Sequence, residues 1–258
     1  MKETLYTIPL TDAFLADDEC PFCNIERKLE HDALDYILGS ASAYMQSDIR
    51  EQTNKLGFCR RHYKDMFQYG NALGNAIMLT SYFAELNEQF QKKLSNTAPQ
   101  KPTLFSRFKK DSASDDETEE TALTTWIRKR ERDCFICRQQ SETYKRYLDT
   151  FFLMVRTDSE FYSIMKKSKG FCLHHFAQII DMAGKKLSGH TLEDFYSDIY
   201  HLMKENMNRI EADVNWFVEK FDYRNRDADW KTSRDAVPRA MQKIAGGYPA
   251  DSYYKTAK

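Results

Sequence analysis

Glycine and proline are scarce in this sequence: nine Gly and six Pro among 258 residues, about half the usual share of each. So few turn formers exclude a β-sandwich or barrel, which needs a turn every few residues. Charge of one sign is missing too. Lys plus Arg is 38 and Asp plus Glu is 39, for a net charge of −1. A protein built to grip nucleic acid phosphates would carry a basic excess, so specific nucleic acid binding is not expected. The longest apolar run is only Phe151 to Val155, well short of the about 18 residues a membrane span needs. The start, Met1-Lys2-Glu3-Thr4-Leu5-Tyr6, has neither the apolar stretch nor the cleavage site of a secretory signal. These features predict a cytoplasmic protein, in which cysteines serve as metal ligands or redox groups more readily than as structural disulfides. P-loop, Rossmann, H-E-x-x-H and G-x-S-x-G signatures are all missing. No nucleophile–base pair can be named, so the reading leans away from an enzyme.

The six cysteines carry the pattern. Cys20 and Cys23 form a C-x-x-C, and Cys59 with His62 a C-x-x-H. Cys134 with Cys137, then Cys172 with His175, repeat the pair in the same order. The flanks agree as well: Gly57-Phe58-Cys59-Arg60-Arg61-His62-Tyr63 matches Gly170-Phe171-Cys172-Leu173-His174-His175-Phe176. No cysteine lies outside this pattern, which reads as an internal duplication.

Around the motifs the sequence has helical grammar. After Cys23, apolar residues at Ile25, Leu29, Ala33, Tyr36 and Ile37 keep a helical period up to Gly39. A shorter helix is expected from Ser47 or Asp48 to Leu56, and a third carries Cys59, His62, Met66 and Phe67 to Gly70. A fourth shows Leu79, Phe83, Leu86, Phe90 and Leu94 at steps of three or four. In the second copy Thr191-Leu192-Glu193-Asp194 resembles a capping sequence. The stripe from Phe195 through Ile199, Met203, Met207, Ile210, Val214 and Phe217 to Phe221 then predicts a helix of about 30 residues. Both stripes read as core or as a seam between repeats. The expected architecture is all-α: two tandem four-helix repeats over 1–94 and 122–222, a polar and acidic linker at 95–121, and a C-terminal arm at 223–258. The arm holds a short helix near Asp235 to Ala245, with Pro238 in its first turn, and is expected to lie across the repeats or to contact a ligand.

Three thiolates and one imidazole complete a tetrahedral set for Zn²⁺. The reading assigns one such set to each repeat: Cys20, Cys23, Cys59 and His62 in the first, and Cys134, Cys137, Cys172 and His175 in the second. Each site would staple the first helix of its repeat to the third. With all four ligands from protein, the metal would be structural. Two alternatives stay open. The ligand type also suits iron–sulfur centres in an electron-transfer or redox-sensing protein. Cys20-Pro21-Phe22-Cys23 looks like a glutaredoxin tetrad, but the surrounding helices do not suit that fold. His174 competes with His175, which alone matches the first copy; His31, His190 and His201 read as surface residues. Arg128-Lys129-Arg130-Glu131-Arg132 reads as a solvated helix face. A protein partner is expected, and a homodimer is compatible with the long apolar helices.

The paired motifs, with Tyr6-Thr7-Ile8-Pro9-Leu10 at the start and Phe221-Asp222-Tyr223-Arg224 and Trp230-Lys231-Thr232-Ser233 near the end, resemble a family of uncharacterised proteins found largely in anaerobic Gram-positive bacteria. That resemblance covers nearly the whole chain and implies the same eight Cys and His positions, but no activity.

Overall fold

The computed structural model describes residues 5–96 and 121–249; the bulk of the expected linker lies outside them. Among the described residues there are eleven α-helices and no strands. In chain order they are α1 (Thr7–Leu15), α2 (Pro21–Leu38), α3 (Ser47–Leu56), α4 (Arg60–Tyr69), α5 (Ala72–Asn96), α6 (Ala122–Arg132), α7 (Phe135–Thr157), α8 (Ser159–Lys167), α9 (Leu173–Lys186), α10 (Gly189–Glu219) and α11 (Ala236–Ala245). The all-α expectation and most helix ends hold. The helix after Cys23 stops before Gly39, and α3 and α4 stop before Gly57 and Gly70. An additional helix precedes each C-x-x-C, so each motif pair is carried by five helices and not four. Helix α10 opens at Gly189 behind Ser188, ahead of the Thr191 start that the sequence suggested.

The chain packs as two compact units, and neither is a consecutive repeat. Among the described residues, one comprises 5–31 and 140–249, the other 32–96 and 121–139. The boundary falls inside α2 and inside α7, because each of these rods is longer than the cluster of side chains at either of its ends.

The first unit is built on aromatic packing. Phe151 of α7 is fully buried and meets Phe14 in a stacked arrangement at 5.7 Å. Phe22 (5.5 Å), Phe161 (6.0 Å) and Phe195 (6.2 Å) approach the same ring edge-on. These rings come from α1, α2, α7, α8 and α10, so one residue ties five helices together. Along α10 the predicted stripe is buried at Phe195, Ile199, Met203 and Ile210, while Met207 is exposed and the helix stops at Glu219, short of Phe221.

The second unit packs Leu34, Ile37 and Leu38 of α2 on Ile49, Phe58, Met66 and Met78, with Cys134, Phe135 and Ile136 from the start of α7. Here the predicted stripe of α5 is only partly covered: Phe83 and Leu94 are exposed, and Phe90 lies against Trp126 of α6 at 6.2 Å. The basic run of α6 is mostly solvated, as expected. Arg130 is its exception, donating to Tyr82 and Gln89. The described part of the C-terminal arm belongs to the first unit, where α11 packs on α9 and α10 and also bonds to Asp18 and Glu19 ahead of α2.

Phe151→Ala should destabilise the first unit by about 3–5 kcal/mol, the loss expected for a buried ring and the cavity it leaves. Denaturant unfolding monitored by helical circular dichroism checks this, and a shift under about 1 kcal/mol would contradict the aromatic core.

Candidate metal centres

The six cysteines and two of the histidines gather into two clusters, and the membership differs from the expectation. Cys20 and Cys23 meet Cys172 and His175; Cys59 and His62 meet Cys134 and Cys137. In each cluster the four candidate ligand atoms lie within 4.8 Å of one another. Each C-x-x-C therefore joins the C-x-x-H of the other copy, not its own, and the two within-repeat staples are corrected accordingly. Helix geometry supplies the reason. At about 1.5 Å per residue, α2 carries Leu38 some 22 Å beyond Cys23. The C-x-x-H that follows packs beside that far end, where Phe58 joins Leu34, Ile37 and Leu38. The start of α2 is left for the other C-x-x-H. The same holds for α7, whose distal Phe151 and Phe152 share a core with Phe171 and Cys172.

Local backbone chemistry builds both ends of each cluster. Cys20 accepts the Asn24 N–H at its carbonyl, and Pro21 opens α2 where a missing N–H costs nothing. The Cys20 N–H is held by Asp18 Oδ1 at 3.0 Å. Cys172 caps α9, its sulfur accepting the His175 N–H. Cys59 stands at the cap position of α4. The glycine before each C-x-x-H has the predicted conformational role: Gly57 and Gly170 have φ of +64° and +75°, a region side chains avoid. A Cβ on Gly57 would meet the Tyr82 hydroxyl at 2.8 Å. The Gly57 carbonyl accepts the Phe135 N–H at 2.9 Å, which fastens the second C-x-x-C to the first C-x-x-H.

In the first cluster His175 Nδ1 lies 3.3 Å from Cys20 Sγ, 3.5 Å from Cys23 Sγ and 3.1 Å from Cys172 Sγ. Cys23 and Cys172 sulfurs are 3.7 Å apart. In the second, His62 Nδ1 lies 3.3 Å from Cys59, 3.1 Å from Cys134 and 3.4 Å from Cys137. The Cys59 and Cys137 sulfurs are 3.9 Å apart. All six cysteines are free thiols. Both clusters sit at two helix N-termini, α2 with α9 and α7 with α4, whose positive ends suit an anionic thiolate complex. His174 points away and meets Gln178 on the surface, while His31, His190 and His201 are exposed.

The chain belongs to DUF6062, a family of unknown function whose model matches residues 1–251. No curated protein and no solved structure matches it.

In this DUF6062 chain a supporting layer surrounds the first cluster that motif spacing did not reveal. Glu26 Oε1 is 3.3 Å from His175 Nε2, an acidic neighbour outside hydrogen-bond geometry, while Nδ1 is the nitrogen turned to the sulfurs. Its position three residues after Cys23, on the same helix face, was the available signal. The Gly247 N–H donates to Cys23 Sγ at 3.3 Å, and a Cβ on Gly246 would come within 3.4 Å of Cys172 Sγ. A Gly-Gly pair marks a turn, but nothing in its spacing ties it to a cysteine. The pair is positioned by α11, whose buried Lys243 donates to the carbonyls of Glu19 (2.7 Å) and Lys169 (2.6 Å). Gln242 donates to Asp18.

Thiols packed this closely cannot all ionise unless a cation joins them. Burial and the adjoining sulfurs push Cys20 well above the ordinary thiol range. Cys172 falls far below it because the Cys20 and Cys23 thiols donate to its sulfur, with His175 adding to the effect. Although burial opposes its charge, His175 is raised to about 11 by Cys172, Cys23 and Glu26. In the second cluster burial and the neighbouring Cys134 push Cys137 up to about 12. His62 draws Cys134 down to about 6 against burial. A divalent ion would take the place of the protons that these thiols and His175 share.

Metal loading should therefore release protons, and apparent affinity should weaken as pH falls from about 8 to about 6, because protons compete for those ligands. Chelator-competition titration across that range checks this; a pH-independent affinity would contradict thiol ligation.

Proposed function

We propose that the protein is a structural zinc protein: two Zn²⁺ per chain, each held by the C-x-x-C of one copy and the C-x-x-H of the other, in a helical scaffold that serves a protein partner. The observation that carries this reading is that each cluster supplies four donors at the spacing of one tetrahedral ion. Zn–S bonds of about 2.3 Å and Zn–N bonds of about 2.0 Å give tetrahedron edges of about 3.8 Å between sulfurs and about 3.5 Å between nitrogen and sulfur. The sulfur pairs at 3.7 and 3.9 Å and the nitrogen–sulfur contacts at 3.1–3.5 Å lie near these values. The iron–sulfur alternative asks for more room, since a polynuclear cluster places its ligands on different irons. Three thiolates around Zn²⁺ leave a net charge of −1, which the paired helix N-termini and the nearby Lys243 favour. Four protein ligands leave no position for substrate, which supports a scaffold over a hydrolase. The matching order of five helices around each motif pair supports an internal duplication.

Elemental analysis and an absorption spectrum on protein purified without oxygen and without a His-tag test the metal. The expected result is two zinc per chain and no visible band. Iron with inorganic sulfide would overturn the reading. The pairing is tested by substitution. Cys20→Ser and Cys172→Ser should each lose one ion, and the same one, so their combination still retains the other. Cys20→Ser with Cys59→Ser should lose both. The opposite pattern would restore the within-repeat pairing.

A further inference from the structure

The two centres face solvent differently. All four groups of the first are buried: Cys20, Cys172 and His175 are at most 1% exposed and Cys23 is 2%. The Gly246–Gly247 turn closes over the sulfurs of Cys172 and Cys23. An N–H donated to a thiolate lowers its nucleophilicity, and close backbone cover bars an incoming reagent. In the second centre His62 and Cys134 are buried, but Cys59 is half-buried and Cys137 exposed. These two less buried residues carry the sulfur pair 3.9 Å apart. Cys59 stands at the start of α4 and Cys137 in the first turn of α7, and bound to a metal each would be held as a thiolate.

We propose that Cys59 and Cys137 form a thiol-oxidation site, at which a hydroperoxide converts the second centre to a Cys59–Cys137 disulfide and expels its metal while the first centre stays intact. This rests on metal occupancy as read above. The Cys137 thiolate attacks one oxygen of the hydroperoxide and the O–O bond breaks. With one proton taken up, this leaves a sulfenic acid and one molecule of water or alcohol. The Cys59 thiolate then attacks that sulfur; the S–S bond forms, the S–O bond breaks, and a second proton lets water leave. The two sulfurs give up two electrons, and the O–O bond accepts them. The ion, reduced to Cys134 and His62 as ligands, dissociates. The sulfurs need only close from contact to the about 2.05 Å of a disulfide. The first centre is the permanent one, and the second is where oxidant chemistry would reach the protein.

The test uses the full, metal-loaded chain, with hydrogen peroxide added in steps. Released metal is read with a chelating dye and the thiols by peptide mass spectrometry. One ion per chain should leave first, together with a Cys59–Cys137 disulfide, while Cys20, Cys23 and Cys172 remain reduced. The second ion should leave slower by an order of magnitude or more. Thiol reductant with added zinc should return the lost ion. Simultaneous loss of both ions, earlier oxidation of the first centre, or oxidation without the Cys59–Cys137 bond would overturn the proposal. Protein that arrives without metal would sink the zinc reading alone. In that case the order of thiol oxidation in the metal-free chain decides, with Cys59 and Cys137 ahead supporting the site and any other order overturning it.

Discussion

The rigidity of α2 and α7 is the constraint on which the rest of the structure depends. Each begins at a C-x-x-C and runs for 18 or 23 residues, too far for its two ends to share one cluster of side chains. Whatever packs on the far end cannot also reach the cysteines at the near end. The chain that follows each rod folds back on that far end, through Phe58 and Met66 in one case and Phe161 and Phe171 in the other. Each C-x-x-C is therefore completed by the other copy of the C-x-x-H. The compact units cut through α2 and α7 for the same reason.

Crossed ligation changes what each centre would do for folding. A site made within one repeat would close a single loop between Cys23 and Cys59. The first cluster instead joins residues around 20 to residues around 172, and closing a longer loop removes more entropy from the unfolded chain. The second joins residues around 60 to residues around 135, so metal at either centre would couple the two motif pairs. The supporting layers differ as well. Around the first cluster lie Glu26, Lys243 and the Gly246–Gly247 turn, and nearby Arg209 and Arg239 pair with Glu19 and Asp213. In the second cluster Cys59 is only half-buried and Cys137 is exposed.

Much of this was legible in the sequence. Scarce glycine and proline with period-3.6 apolar residues gave the helices, because a helix is specified by neighbours three and four positions apart. Gly57 and Gly170 before each C-x-x-H, and Gly70 at the end of α4, marked turns through their own backbone freedom. His175 was separable from His174 by register alone. The stripe of α5 was less informative. Apolar spacing shows which face is greasy, not how fully a neighbour covers it, and Phe83 remains exposed.

By itself, then, the sequence determined the helices, the eight candidate ligand residues and the Cys3His composition of each set, since all of these follow from local spacing and residue chemistry. Only the tertiary structure decided which motif meets which. The two C-x-x-C motifs offer the same pair of donors, and so do the two C-x-x-H motifs; nothing local distinguishes a partner in the same copy from one in the other. That choice lies in the lengths of α2 and α7 and in the cores that form at their far ends. The Gly246–Gly247 cover has the same origin, because it depends on where α11 docks and not on any spacing along the chain.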